Sequence, residues 1–218
     1  MACALEMITT SAVILDDLTC MDNDDLDEAK PAKHKVFGEA TSFSASHHLF
    51  YLAIKHFETK TENISLDLKL QAIVEISSTF GSKEALAGQI TNLYSEGKEV
   101  NLSELEYIHR NKSEKFAKAI VVCGFLLGGG NEVEIERLRK YGECLGLAYQ
   151  VRDDILDATD YQKKDLEAGR DLLGDKATYP KMIGVDESMK YARPVVAQAI
   201  KELALFDSTK GCAIVSYG

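Results

Sequence analysis

Two short runs of carboxylates are the residues in this sequence with the clearest capacity for chemistry. Each run contributes three aspartates, which are Asp16, Asp17 and Asp22 in the first, and Asp153, Asp154 and Asp157 in the second. On a helix, Asp153 and Asp157 lie one turn apart on the same face, and Gln150 lies one turn earlier. Adjacent carboxylates that face inward repel one another strongly unless protons or divalent cations neutralise them.

A set of hard oxygen donors of this kind suits Mg²⁺, which binds one or two carboxylates and completes its shell with water and phosphate oxygens. The alternative is that both runs are solvated acidic helix ends, in a chain that contains 35 acidic residues. Both runs, however, end apolar helical stretches, as a cavity between helices requires. Their joint presence therefore favours a divalent-metal site.

The elements that would position these carboxylates are predicted to be helices. Apolar periodicity predicts helices over 2–18, 43–58, 66–93 with Gly81 as a candidate break, 113–127, 132–158 and 188–206, and the segment 19–42 is predicted to be a loop. A further helix is expected to begin near 101–104, where Ser103 and Glu106 fit a capping box.

The helix over 132–158 has the most regular pattern of the chain. Its predicted apolar stripe comprises Ile135, Leu138, Gly142, Leu145, Tyr149 and Leu156. Only 3 prolines occur among 218 residues, and 45% of the residues are hydrophobic. These features predict a single all-α domain, a helical bundle that occupies residues 1–218.

Charge and composition narrow the classes of function and location. The formal net charge is −10, which disfavours a nucleic-acid partner, because a phosphate backbone requires a clustered cationic face. The five cysteines form no CxxC pair and are predicted to be reduced thiols. The apolar stretch 117–127 is too short to span a bilayer, and the first residues are unlike a signal or transit peptide.

The two acidic runs and their surroundings resemble the trans-isoprenyl diphosphate synthases, in particular the plant geranylgeranyl diphosphate synthases. Residues 16–26 resemble the first aspartate-rich motif of that family, and residues 146–157 resemble the second. The resemblance extends from about residue 2 to 206 in the order of the family. Further matching segments are 33–39, Gly88-Gln89, 108–113, Gly128-Gly129-Gly130 and 175–180.

The resemblance implies a helical bundle with a central cavity and a head-to-tail, Mg²⁺-dependent transfer of an allylic diphosphate onto isopentenyl diphosphate. It assigns metal ligation to the six aspartates, and catalysis in particular to Asp16, Asp17, Asp153 and Asp154. The residues that it assigns to substrate binding are Lys112, Ser113, Gln150, Arg170 and Lys176. Ser11 and Ala12 occupy the positions that set product length. Both are small, which predicts a geranylgeranyl, geranylfarnesyl or longer product; simple helix packing is the alternative.

Other positions depart from the family pattern. Asp27-Glu28 stands where the family has a pair of arginines that bind diphosphate, and a Gly-Lys-Arg segment of the family has no counterpart. The domain is accordingly expected to be incomplete at its N-terminus, lacking N-terminal helices, and at its C-terminus. Three interpretations therefore stay open. The chain is an active prenyltransferase, an impaired paralogue that regulates an active synthase, or a truncated product that folds poorly.

The resemblance also implies partners and a compartment. Isopentenyl diphosphate and allylic diphosphates are the expected small-molecule partners, and the expected assembly is a homodimer or a heterodimer with a related synthase. Plant relatives act in plastids, with the cytoplasm and mitochondria as alternatives.

Overall fold

The computed structural model describes residues 1–27, 30–80, 84–161, 177–204 and 206, except for the side chains of Asp160 and Tyr161. Within these residues the chain is almost entirely helical, and the prediction of an all-α fold is confirmed. The helices are α1 Ala2–Asp16, α2 Lys33–Phe37, α3 Glu39–Lys60, α4 Leu66–Thr79, α5 Ala85–Ser95, α6 Leu102–His109, α7 Lys115–Leu127, α8 Glu132–Tyr161, α9 Tyr179–Ile183 and α10 Val185–Leu203. A π-helical turn, Arg110–Glu114, joins α6 to α7, and two two-residue strands, Leu26–Asp27 and Lys30–Pro31, pair in antiparallel fashion.

The largest apolar cluster lies where α1, α3, α4 and α7 meet. Its fully buried members include Ile8, Phe57, Ile76 and Cys123. Burial of each large apolar side chain contributes about 1.5–3 kcal/mol, so this cluster fixes α1, and with it the first acidic run, against the bundle. A second cluster, Leu105, Val151 and Tyr179, joins α6, α8 and α9 beneath the second acidic run.

Small residues allow two helix pairs to approach closely. Ser11 of α1 and Ser46 of α3 are both buried and exchange hydrogen bonds, in which each hydroxyl donates to the other residue's carbonyl oxygen, at 3.0 and 2.8 Å. In α8, a Cβ at Gly142 would lie 2.5 Å from the Cα of Lys118, and one at Gly146 would lie 2.6 Å from the carbonyl oxygen of Ser113. Glycine at these two positions therefore allows α8 to lie close to α7 and to the π-turn.

The structure corrects several expectations about local structure. The capping box of α6 is formed by Asn101 and Glu104, not by Ser103 and Glu106. The segment 19–42, predicted as a loop, contains α2 and the beginning of α3 at Glu39. The predicted helix over 66–93 is two helices, α4 and α5, and Gly81 lies outside the described residues.

The apolar stripe predicted for α8 is wrong in half of its positions. Leu145, Tyr149 and Leu156 are 39%, 61% and 40% exposed. The stripe is buried at Leu138 and Gly142, and beyond them the buried positions are Gly146, Val151 and Asp154; α7, the π-turn and α10 are among the elements that pack on α8. The tightest interhelical contacts are made by glycines, and a hydrophobic pattern alone does not reveal them.

None of the helices described combines the length and the apolar character that crossing a membrane requires.

Candidate active site

A cavity of about 160 Å³ lies between the two acidic runs. The loop after α1, helix α5, the junction of α6 with the π-turn, and α8 contribute to its walls. The described residues that line it are Asp22, Asp24, Asn92, Ile108, His109, Lys112, Gln150, Asp153, Asp154 and Ala177. The fold therefore brings carboxylates from the two runs to one space, although more than 130 residues separate Asp22 from Asp153 along the chain (153 − 22 = 131).

The first run folds back on itself after α1 ends. The backbone N–H of Asp22 donates to the carbonyl oxygen of Asp16 at 2.8 Å, which closes the turn. Asn23 follows in the left-handed region with φ 54°, a conformation that asparagine adopts more readily than most residues. This turn returns Asp22 to the side of Asp16 and directs Asp24 to the cavity.

Lys112 joins the two ends of this turn. Its Nζ lies 3.3 Å from Oδ2 of Asp22 and 3.6 Å from Oδ2 of Asp16. The other oxygen of Asp22 accepts a hydrogen bond from Nε2 of Gln89 at 2.6 Å. Lys112 belongs to the π-turn, a feature that is frequent at functional sites. Gly88 lets α5 approach this turn, because a Cβ there would lie 3.0 Å from the backbone nitrogen of Lys112.

The aspartates of the second run differ in burial. Asp153 is exposed, Asp157 is half-buried, and Asp154 is only 2% exposed. Asp154 accepts hydrogen bonds from Nε2 of Gln150 at 3.0 Å and from the backbone N–H of Tyr179 at 3.1 Å. Gln150 in turn accepts a hydrogen bond from the hydroxyl of Ser113 at 2.6 Å. This series of contacts links the π-turn to the second acidic run.

His109 lies beneath Asp154 on the cavity wall. Its Nε2 is 3.9 Å from Oδ2 of Asp154, and its ring centroid is 5.2 Å from that of Tyr179. Burial, assisted by the positive charge of Lys112, lowers the pKa of His109 to about 3. The imidazole is therefore neutral at physiological pH.

The structure brings together part of the predicted set of site residues. Asp22, Asp153, Asp154, Lys112 and Gln150 line the cavity, and Ser113 contacts Gln150. Three predicted metal ligands are not among the described residues that line the cavity. These three residues are Asp16, Asp17 and Asp157. Asp16, one of the three, lies 3.6 Å from Nζ of Lys112. Arg170 and Lys176 lie outside the described residues, so their predicted roles stay predictions.

Sequence reasoning assigned no role to four residues that lie at the site. Asp24, Asn92 and His109 line the cavity, and Gln89 binds Asp22. Their spacing in the sequence relates two of them to other site residues. His109 precedes Lys112 by three residues, which places both on one helical face, and Asn92 follows Gln89 by three.

The two residues predicted to set product length lie in α1. Ser11 is buried against Ser46, so its small side chain serves the close packing of α1 on α3. Ala12 is half-buried. Their effect on the product stays a prediction. At the position of the expected arginine pair, Asp27 forms an ion pair with Lys33 at 3.1 Å, and Glu28 lies outside the described residues.

The chemistry of the donor set fits Mg²⁺. The described lining presents carboxylate oxygens of Asp22, Asp24, Asp153 and Asp154, together with the amide groups of Asn92 and Gln150, and it contains no thiol. Mg²⁺ prefers such hard oxygen ligands and uses few of them from the protein. Within the described part of the chain, no three side chains of His, Cys, Asp or Glu converge on one point.

Comparisons with known proteins identify one family. Residues 1–209 match the family described as polyprenyl synthetase. The chain is 42% identical over 217 residues to a chloroplastic geranylgeranyl pyrophosphate synthase of Catharanthus roseus, covering 99% of this chain and 61% of that protein. It is 43% identical over 215 residues to the large subunit 1 of a chloroplastic heterodimeric geranylgeranyl pyrophosphate synthase of Arabidopsis thaliana, covering 96% and 58%. The chain thus spans about three fifths of the length of these relatives.

Solved structures show the same fold. A geranyltransferase from Helicobacter pylori, complexed with magnesium and isoprenyl diphosphate, superposes with a TM-score of 0.79 at 25% identity, over 92% of this chain and 65% of that one. An FPP/GFPP synthase from Zymomonas mobilis gives a TM-score of 0.80 at 28% identity, over 94% and 69%.

Proposed function

The chain belongs to the polyprenyl synthetase family, and on that premise we propose that it is a Mg²⁺-dependent trans-prenyltransferase that condenses isopentenyl diphosphate with an allylic diphosphate. The observation that carries the proposal is the cavity in which Asp22 and Asp24 face Asp153 and Asp154, with Lys112 among them. Such an arrangement suits a polyanionic substrate that enters with divalent cations.

Each side chain at the cavity has a definable task in this reaction. Lys112 donates to a diphosphate oxygen of the allylic substrate, which requires that it exchange its contacts with Asp16 and Asp22 for the phosphate. Gln150 and Ser113 hold Asp154 at a fixed orientation. Preorganised groups of this kind are effective because they do not reorganise as the bond ionises.

The carboxylates at the cavity are the groups that would hold Mg²⁺. When bound, Mg²⁺ supplies electrostatic stabilisation of the departing diphosphate. Asp22 and Asp153 belong to different elements and line the same cavity, which is the space that the diphosphate would occupy. The allylic carbon is then attacked by the double bond of isopentenyl diphosphate, and the loss of a proton completes the condensation.

The finer assignments are parts of the same proposal. We expect a geranylgeranyl or longer product, in keeping with the small residues Ser11 and Ala12 and with the names of the relatives. We expect a homodimer or a heterodimer with a related synthase, and one relative is named as a subunit of a heterodimer. The chloroplastic relatives favour a plastid location.

The test is incorporation of radiolabelled isopentenyl diphosphate with each allylic diphosphate in the presence of Mg²⁺, with products separated by chain length. We expect Asp22→Asn and Asp153→Asn to reduce the rate by about 100- to 1,000-fold, because each removes a carboxylate that would hold the Mg²⁺ ions that stabilise the departing diphosphate. Asp67→Asn on the exposed surface of α4 is the matched control and should not change the rate.

Two outcomes would replace the proposal. If the purified chain incorporates no label but alters the products of an active plant relative when mixed with it, the chain is a regulatory subunit. If it does neither, the chain is an inactive paralogue. The ion pair between Asp27 and Lys33, at the position of the family's arginine pair, is the feature that makes this mixed assay necessary.

A further inference from the structure

His109 contacts both Asp154 and Tyr179, the residue whose backbone N–H binds Asp154. It ends α6 immediately before the π-turn, is 4% exposed, and lines the cavity. One edge of its ring faces Oδ2 of Asp154 at 3.9 Å, and its ring packs against Tyr179, whose backbone N–H donates to the same oxygen. No role is assigned to it by the resemblance or by the comparisons.

We propose that His109 is a positioning residue that orients the Asp154 carboxylate for the Mg²⁺–diphosphate complex, acting through an Nε2–H and through its ring contact with Tyr179. The inference rests on the proposed function, since it specifies how one carboxylate of that site is held. The proposed role depends on the contact between His109 and Asp154 and does not require that His109 touch the substrate.

The groups around Asp154 support this role. Oδ1 is held by Gln150 and Oδ2 by the N–H of Tyr179, and His109 approaches Oδ2 from the cavity wall. At 3.9 Å the contact is longer than a hydrogen bond. A movement of about 1 Å would make it one, and such contacts commonly tighten when a site is filled. An N–H donor beside a carboxylate that would hold a cation fixes the orientation of that carboxylate.

The other nitrogen of His109 argues against a role in packing alone. Nδ1 is buried and, within the described residues, has no hydrogen-bond partner. A buried polar atom without a partner destabilises the folded state relative to an apolar side chain of similar size. A leucine would therefore fill this position at lower cost, and the imidazole is explained by its contact with Asp154.

The first experiment follows the Tyr179 amide by hydrogen exchange in the metal-free protein. We expect His109→Leu to increase its exchange rate by about tenfold relative to the amide of Val122, a buried residue of α7, because the carboxylate that accepts the Tyr179 N–H loses its orientation. We expect His109→Gln, whose amide nitrogen can replace Nε2–H, to leave the ratio near that of the wild type. The same Leu substitution at exposed His48 is the control.

The second experiment measures Mg²⁺-dependent binding of inorganic pyrophosphate by calorimetry. We expect His109→Leu to weaken binding by about 10- to 100-fold, as is typical when a residue that supports a metal ligand is lost, and His109→Gln to restore most of it. His48→Leu should bind as the wild type does. This readout does not depend on turnover.

The outcomes separate the inference from the proposed function. If the wild type binds Mg²⁺ and pyrophosphate but incorporates no isopentenyl diphosphate, the proposed function fails, and the His109 variants still decide the inference. The positioning role is overturned if His109→Leu matches the wild type in both readouts, if His109→Gln is as impaired as His109→Leu, or if every buried amide exchanges faster to the same extent. Absence of pyrophosphate binding by the wild type overturns both.

Discussion

A methyl group added at Gly146 should damage both the fold and the site, whereas the same addition at Gly124 should stabilise the protein. A Cβ at Gly146 would lie 2.6 Å from the carbonyl oxygen of Ser113 and 2.7 Å from the Cα of Glu114. Carbon atoms pack favourably at about 3.5–4.0 Å. Since both obstructing atoms are backbone, α8 and the π-turn must separate by about 1 Å.

The magnitude follows from two opposing effects. Overpacking of a tight interface destabilises by about 1–3 kcal/mol, and replacement of glycine by alanine in a helix stabilises by about 1 kcal/mol. We therefore expect Gly146→Ala to lower the free energy of unfolding by up to about 2 kcal/mol, or Tm by up to about 8 °C. At Gly124 nothing lies within 4 Å of the added Cβ, so Gly124→Ala should raise stability by about 1 kcal/mol.

Urea denaturation of the three proteins measures these differences, and the incorporation assay measures the effect on the site. Separation of α8 from the π-turn breaks the 2.6 Å hydrogen bond between Ser113 and Gln150. We expect Gly146→Ala to lose about 10- to 100-fold in activity, because displacement by about 1 Å is sufficient for such a loss. If Gly146→Ala were as stable as Gly124→Ala and fully active, the close approach of α8 to the π-turn would be refuted.

Two further substitutions test buried polar groups. Burial raises the pKa of Glu114 from 4.5 to about 7, opposed by Arg110 and reinforced by Glu143. The folded state therefore holds this proton to higher pH than the unfolded state, and stability should fall between about pH 4.5 and 7. We expect Glu114→Gln to remove this decline and to raise the free energy of unfolding by about 1 kcal/mol at pH 8 after solvent screening. Urea unfolding from pH 4 to 8 measures this. If the unfolding free energy of the variant declined with pH as that of the wild type does, the prediction would be wrong. Ser11→Met should destabilise the protein by about 2–3 kcal/mol, because the backbone of Ser46 occupies the space beside Ser11. Thermal unfolding measures this loss. A variant with the Tm of the wild type would instead indicate an open pocket beside Ser11.

The all-α fold could be predicted from the sequence because helices are encoded in local apolar patterns, and five of the residues proposed for the site line one cavity. Apolar periodicity predicted most of the helices, and the clustered charges of Asp153 and Asp154 identified a place where burial would be unfavourable without cations. The family resemblance added Lys112 and Gln150, which line the same cavity. Local patterns do not specify how helices approach one another, however.

Two features were not predicted correctly for this reason. Leu145 and Tyr149 continue a helical apolar pattern that is buried at Leu138, yet they are exposed, because the close contacts of α8 with α7 and the π-turn are made at Gly142 and Gly146 beside them. The role of His109 could not be derived either, because its contacts with Asp154 and Tyr179 join α6 to parts of the chain at least 45 residues away (154 − 109 = 45). Tertiary packing decided both cases.

The charge of the cavity bears on how an acidic chain would bind the diphosphate substrate proposed for it. The described lining contains the four aspartates Asp22, Asp24, Asp153 and Asp154 and a single lysine, Lys112, so a diphosphate that enters alone meets a net negative wall. Two unit charges 4 Å apart interact by about 4 kcal/mol at the effective dielectric constant of a protein surface, which is enough to exclude the free anion. Divalent cations reverse the sign of that field. Lys112 lies between Asp16 and Asp22, and cations held by these carboxylates would leave its ammonium group available to the phosphate. Binding of pyrophosphate should accordingly be undetectable with EDTA and appear with Mg²⁺, and equal binding in both conditions would contradict this account of the cavity.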